Sequence, residues 1–150
     1  MKEKIEFKVV PHNSKDYWKT VELRDRLLRK PLGLEFSKEE LEAEHNQVHV
    51  AAFLEGKAIA SLSLVILNKD VLKMRQVCTD ENLQGKGIGK QLAKFTEHWA
   101  LDNNYNKIEC NARKVAVPFY QYMGYKIVSD LFYEVGIEHY KMEKDLIAKQ

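Results

Sequence analysis

A chain of 150 residues with 45% hydrophobic and 31% charged side chains has the make-up of a globular protein of about one domain, long enough to bury a substantial core. Its 24 basic and 22 acidic residues leave a formal charge of +2, which supplies neither a basic field for nucleic acid nor a charge block for a membrane surface. The opening MKEKIEFKVV lacks the apolar core of a signal peptide and the longest apolar run, AIASLSLVIL, is too short to span a bilayer, so a cytoplasmic location is expected.

In chain order, IEFKVV reads as a first strand. A helix over 15–30 follows, capped by Asn13 or Ser14 and ended by Pro31, which disfavours the α conformation at Lys30. Ser37 with Glu40 three residues later forms a capping-box pattern that opens a short acidic helix, SKEELEAEH, expected to be a solvated face. VHVAAFLEGKAIASLSLVIL reads as two strands around a turn at Glu55, Gly56 and Lys57. A fourth strand is expected from 71 to 79, a helix with Ile88, Leu92, Phe95 and Trp99 on one face from 87 to 102, and a fifth strand in NKIECNA. Residues 114–123 place Val115, Phe119 and Met123 on one helical face before Gly124, and YKIVSD and EHYKMEKDL read as two closing strands.

Without a repeat or a linker, 1–150 reads as one α/β domain with helices on the faces of a mixed sheet. Cys78 and Cys110 sit in β-like runs and read as free buried thiols. His45 and His49 cross a helix-to-strand boundary without the glutamate of a zinc helix, so no metal site is expected.

The stretch with the most chemical content is LQGKGIGKQL, where Gly85, Gly87 and Gly89 lead from a strand into a helix. Unpaired first-turn amides, a positive helix end and the absence of Cβ atoms make such a turn an anion site. It is not a P-loop, because Gln84 and Gln91 stand where glycine and Ser/Thr are needed. Nor is it a dinucleotide fingerprint, because Lys90 replaces the third glycine.

Gln84-x-x-Gly87-x-Gly89 does match the pyrophosphate signature Gln/Arg-x-x-Gly-x-Gly/Ala of the GCN5-related N-acetyltransferases. Downstream, Ala116, Phe119, Tyr120, Gly124 and Tyr125 match the second signature of that superfamily, Ala-x-x-Phe-Tyr-x-x-x-Gly-Phe/Tyr. The chain therefore resembles this superfamily over roughly 72–128. LRDRLLRKPLGLEF, CNARKVAVPFYQYMGY and VGIEHYKM further resemble its glyphosate N-acetyltransferase branch.

The resemblance implies a mostly antiparallel sheet of six or seven strands, splayed central parallel strands, about four flanking helices, and acetyl-CoA as co-substrate. It implies that Gln84, Gly85, Lys86, Gly87, Ile88, Gly89 and Lys90 hold the pyrophosphate, while backbone groups near Val77 and Thr79 pair with the pantetheine arm. Tyr120 is implied as the acid for the departing thiolate, His139 as the base for the amine, and Arg29, Arg75 and Arg113 as binders of an anionic acceptor. By residue type alone, Tyr120 is a core aromatic and His139 one of five histidines; the resemblance gives them roles. The expected activity is acetyl transfer to the amine of a small, anionic amino compound. Acetylation of a protein N-terminus, a lysine or a polyamine stays open, as does a non-catalytic CoA-binding module. Homodimers are frequent in the superfamily.

Overall fold

The computed structural model describes residues 4–147. Its strands are β1 (Glu6–Val10), β2 (Val48–Leu54), β3 (Lys57–Ile66), β4 (Val71–Thr79), β5 (Lys107–Arg113), β6 (Lys126–Ile127), β7 (Phe132–Glu134) and β8 (Ile137–Asp145). They form one sheet in the order β1-β2-β3-β4-β5-β8-β6, with β7 paired to β8. β4 and β5 are parallel, whereas β1–β2, β2–β3, β5–β8, β6–β8 and β7–β8 are antiparallel. The α-helices are α1 (Lys15–Arg24), α2 (Lys38–Ala43), α3 (Ile88–Asp102) and α4 (Val117–Tyr122). No described helix is long and apolar enough to cross a membrane.

The chain divides into two compact units, one of residues up to Val65 with Gln76–Thr96, the other of Ile66–Arg75 with residues from Glu97 on. In the first unit, Ser14 caps α1 by accepting from the Tyr17 amide, and the expected capping box is complete at Ser37 and Glu40. Glu55 and Gly56 both take positive φ, 51° and 78°, which is the geometry a two-residue hairpin between β2 and β3 requires. Val10, Tyr17, Ala51 and Phe53 form a buried cluster closed by Val21 and Ala58.

α1 does not stop at Pro31 as expected. It widens into a π-helical turn over Asp25–Arg29 and continues as a 3₁₀ turn over Lys30–Leu32, ending at Gly33 with φ 71°. Lys30 stays right-handed helical, at φ −54° and ψ −42°. The wider turn removes the clash that Pro31 would make in an α-helix, and Pro31 sits in the first residues of the 3₁₀ turn, where no N–H is needed. The acidic segment is also not solvated throughout, because it continues as a 3₁₀ turn over Glu44–Asn46 that buries Glu44.

In the second unit, β5 carries Ile108, Cys110 and Ala112 inward in strict alternation, and Met142 of β8 faces Cys110 across the ladder. The β4–β5 ladder pairs Val71–Met74 with Lys107–Cys110, whereas both strands run on beyond it. The helical face expected from Val115, Phe119 and Met123 is not formed. Residues Lys114–Ala116 make a 3₁₀ turn, Pro118 restarts the register, and Val117, Tyr120 and Met123 are the buried set, with Val115 88% exposed. The chain also closes with three strands rather than two. β7 pairs with β8 through a turn in which Val135 and Gly136 both have positive φ, at 53° and 73°.

Candidate active site

The first unit holds the expected cofactor residues as one continuous stretch. Val77 and Thr79 are half-buried on β4, and Asp80 caps a 3₁₀ turn over Glu81–Leu83 by accepting from the Asn82 amide. Gln84 then runs extended, its side-chain amide donating to the Thr79 carbonyl at 3.3 Å. Gly85 and Gly87 take φ of 82° and 80°, and a Cβ built on either meets nothing within 4 Å. The demand for glycine there is conformational rather than steric.

α3 starts at Ile88, and its first bond runs from the Gln91 amide to the Gly87 carbonyl at 3.0 Å. The amides of Ile88 and Gly89 therefore precede the intrahelical ladder, at the positive end of a 15-residue helix with no acidic residue in its first turn. Ile88, Leu92 and Ala93 anchor this end from below. Exposed Lys86 and half-buried Lys90 add positive charge to the same turn. An exposed, acid-free helix start with two left-handed glycines suits a pyrophosphate.

Arg29 closes the π turn of the same unit. Its guanidinium donates to Glu40 at 2.9 Å and stacks 4.1 Å over Phe36, so its partners lie outside the expected site set. Arg24, quoted in the sequence motif without a role, is instead almost wholly buried. It forks onto Glu44 at 2.8 and 2.9 Å and donates to the Gln76 side-chain oxygen at 2.7 Å. Burial pushes the Glu44 carboxyl up, but the hydrogen bonds and charge of Arg24 outweigh it and hold the group below its ordinary value. Gln76 is left-handed at φ 56°, one residue before Val77.

In the second unit, Tyr120 stands on α4 with its ring buried edge-on against Phe119 and Tyr125, at centroid distances of 5.2 and 5.6 Å. Its hydroxyl is not among the fully buried polar atoms that lack a partner, and no described group accepts from it. Burial raises its pKa, reinforced by Cys110, so the phenol stays protonated around neutrality. The Cys110 thiol is itself pushed up to about 12, chiefly by burial, and both cysteines are free.

His139 lies on β8, 6% exposed, with its ring stacked on Phe132 at 5.8 Å. Nδ1 is 2.7 Å from the Ile137 carbonyl, and a carbonyl only accepts, so Nδ1 is a donor and Nε2 is the ring nitrogen left for other partners. Nε2 faces Glu134 on β7 at 3.4 Å. Glu134 was not found from sequence because the strand that carries it was not. Arg113 is the register partner of His139 across β5 and β8, so these two expected residues are brought side by side. Arg113 and Arg75 are both exposed, and no described carboxylate pairs with either.

The model of the acetyltransferase (GNAT) domain family matches residues 29–146. Among curated proteins, the N-acetyltransferase YjcF of Bacillus subtilis is 25% identical over 91% of this chain and 98% of its own. YitI of the same organism is 26% identical over 85% and 90%. A crystal structure of an N-acetyltransferase from Lactobacillus plantarum superposes with a TM-score of 0.84 at 23% identity, covering 96% of this chain and 98% of that one. With its glycine turn and parallel central pair, this chain belongs to the GNAT acetyltransferase family and is an acetyl-CoA-dependent N-acetyltransferase.

Proposed function

We propose that the chain 1–150 works as one domain that acetylates the amine of a small anionic amino compound, of the amino acid or aminophosphonate type. The observation that carries this reading is Arg113, an exposed guanidinium with no described carboxylate partner, in register with His139. A planar fork of that kind accepts a carboxylate or phosphonate on two bonds. Arg75 supplies a second cation of the same sort. Arg29 has a lesser part, because a substrate anion there competes with Glu40. The matches at 23–29, 110–113 and 135–142 support the glyphosate N-acetyltransferase-like branch. Basic acceptors are disfavoured, since unpaired arginines repel a lysine side chain or a polyamine.

In this mechanism the glycine turn from Gln84 to Lys90 holds the pyrophosphate of acetyl-CoA on main-chain amides, and the Val77–Thr79 backbone pairs with the pantetheine arm. The acceptor nitrogen attacks the thioester carbon, and Nε2 of His139 takes the proton that the nitrogen loses. Glu134 stands where it stabilises the resulting imidazolium. The negative charge that develops on the carbonyl oxygen meets the Val77 amide. Collapse breaks the carbon–sulfur bond, and the Tyr120 hydroxyl protonates the thiolate.

The test is thiol release from acetyl-CoA against amino acids, aminophosphonates, amino sugars and polyamines, with His139→Ala in parallel. The expected result is a preference for anionic amines that collapses in the variant. Preference for polyamines overturns the arginine argument, and an undiminished rate in His139→Ala removes the base.

A further inference from the structure

Arg24 takes no part in the bond-making steps, yet it is a charged side chain only 1% exposed. Its two terminal nitrogens fork onto Glu44, whose Oε1 also accepts from the Tyr17 hydroxyl at 2.7 Å, and its guanidinium carbon lies 5.1 Å from the Phe36 ring centre. Its Nε is buried with no partner. A buried ion pair that leaves one N–H unsatisfied is a poor way to add stability, because apolar residues of similar volume commonly do as well or better. What the arrangement does deliver is direction. Glu44 fixes the guanidinium plane, and the remaining hydrogen of Nη1 is aimed at Gln76 Oε1, 2.7 Å away.

Gln76 is the one described strand residue in the left-handed region, at φ 56°. That conformation costs a non-glycine residue energy and persists only where surrounding groups enforce it. It also redirects the peptide that follows, whose N–H belongs to Val77. We propose that Arg24 is a positioning residue for acetyl transfer: held by Glu44, it pins Gln76 in the left-handed conformation and so aims the Val77 amide. The inference rests on Val77 being the oxyanion donor, and the experiment separates the two.

Arg24→Met leaves Glu44 buried without a cation, so loss of activity there is confounded with unfolding. The link is therefore tested from Gln76, where Gln76→Met removes the acceptor at similar volume and Gln76→Glu keeps one. The readouts are kcat, the KM for acetyl-CoA, and the ¹⁵N–¹H shift of the Val77 amide in the folded protein. In Gln76→Met the Val77 signal is expected to move and kcat to fall about tenfold, with KM within about twofold of the parent, as for a misaimed oxyanion donor. Gln76→Glu is expected to restore both. If the Val77 signal moves while kcat is unchanged, the amide is not the oxyanion donor and the proposal falls with it. If neither changes, or if both variants lose activity equally, Arg24 does not act through Gln76 and the proposal is overturned while the role of Val77 stands.

Discussion

Tyr120 combines a buried ring with a hydroxyl that no described group engages, which leaves that hydroxyl available for the proposed proton transfer. Tyr17 shows the contrast: its hydroxyl donates to Glu44, and its pKa is likewise raised, first by burial. Replacing Tyr120 by Phe keeps the edge-on contacts with Phe119 and Tyr125 and removes only the proton. Steady-state kinetics are expected to show kcat reduced about 10²-fold with little change in the KM for acetyl-CoA; a kcat equal to the parent removes Tyr120 from the mechanism. Gly87 makes a separate prediction. The Cβ of a valine there meets no atom within 4 Å, but φ 80° is hostile to a β-branched residue. Strain of about 1–3 kcal/mol then either distorts the turn or costs stability. Calorimetric titration of Gly87→Val is expected to show acetyl-CoA affinity weakened about tenfold or more, whereas Lys86→Ala is expected to lose much less, because main-chain amides make the contacts.

At the scale of elements, what was legible in the sequence was what neighbours in the chain decide. The cap at Asn13 or Ser14, the Ser37/Glu40 box and the turn at Glu55–Lys57 were legible because cap and turn geometry depends on residues two or three apart; the structure selects Ser14 and narrows the turn to Glu55 and Gly56. The misread elements depended on something else. Pro31 sits in a 3₁₀ turn that follows a π turn, so the helical run passes it before ending at Gly33. β7 was hidden because Val135-Gly136 is not a familiar hairpin dipeptide, although both residues adopt the positive φ of one. Glu44 looked solvated because its partner Arg24 lies 20 positions away, and Glu134 gained its meaning only once β7 placed it opposite His139. The glycine turn was legible as a motif, whereas the left-handed Gln76 beside it left no mark in the letters.

Strand β2 carries a prediction about acid. His49 on β2 is buried between the Glu44 carbonyl at 3.0 Å and Ser63 at 3.2 Å, with the His12 ring tilted against it at 6.1 Å. Burial, the largest influence, lowers its pKa below the ordinary 6.5. The folded state therefore resists protonating it. Its stability contribution is complete above 6.5 and is lost as pH falls through the window beneath that value. Glu44, held below its ordinary 4.5, adds a second loss at lower pH. Melting temperatures from pH 7.5 down to about 2.5 are expected to fall in two stages, with the first stage absent in His49→Gln. An unchanged first stage in that variant assigns it to another group. Glu44→Gln is expected to cost about 3–5 kcal/mol in chemical denaturation, as uncompensated buried charges do.

For the molecule as a whole, the family fixes the reaction and the co-substrate, and the acceptor is the open term. The proposed anionic acceptor rests on two exposed arginines, Arg75 and Arg113, the latter in register with His139. The most direct test is the ratio of kcat/KM for an anionic amino compound to that for its neutral amide, measured by thiol release in the parent and in Arg113→Met. The ratio is expected to exceed unity in the parent and to fall about tenfold or more in the variant, the worth of a charge-assisted hydrogen bond pair. A parent that prefers the neutral amide, or a ratio untouched by Arg113→Met, contradicts an anionic acceptor bound by Arg113.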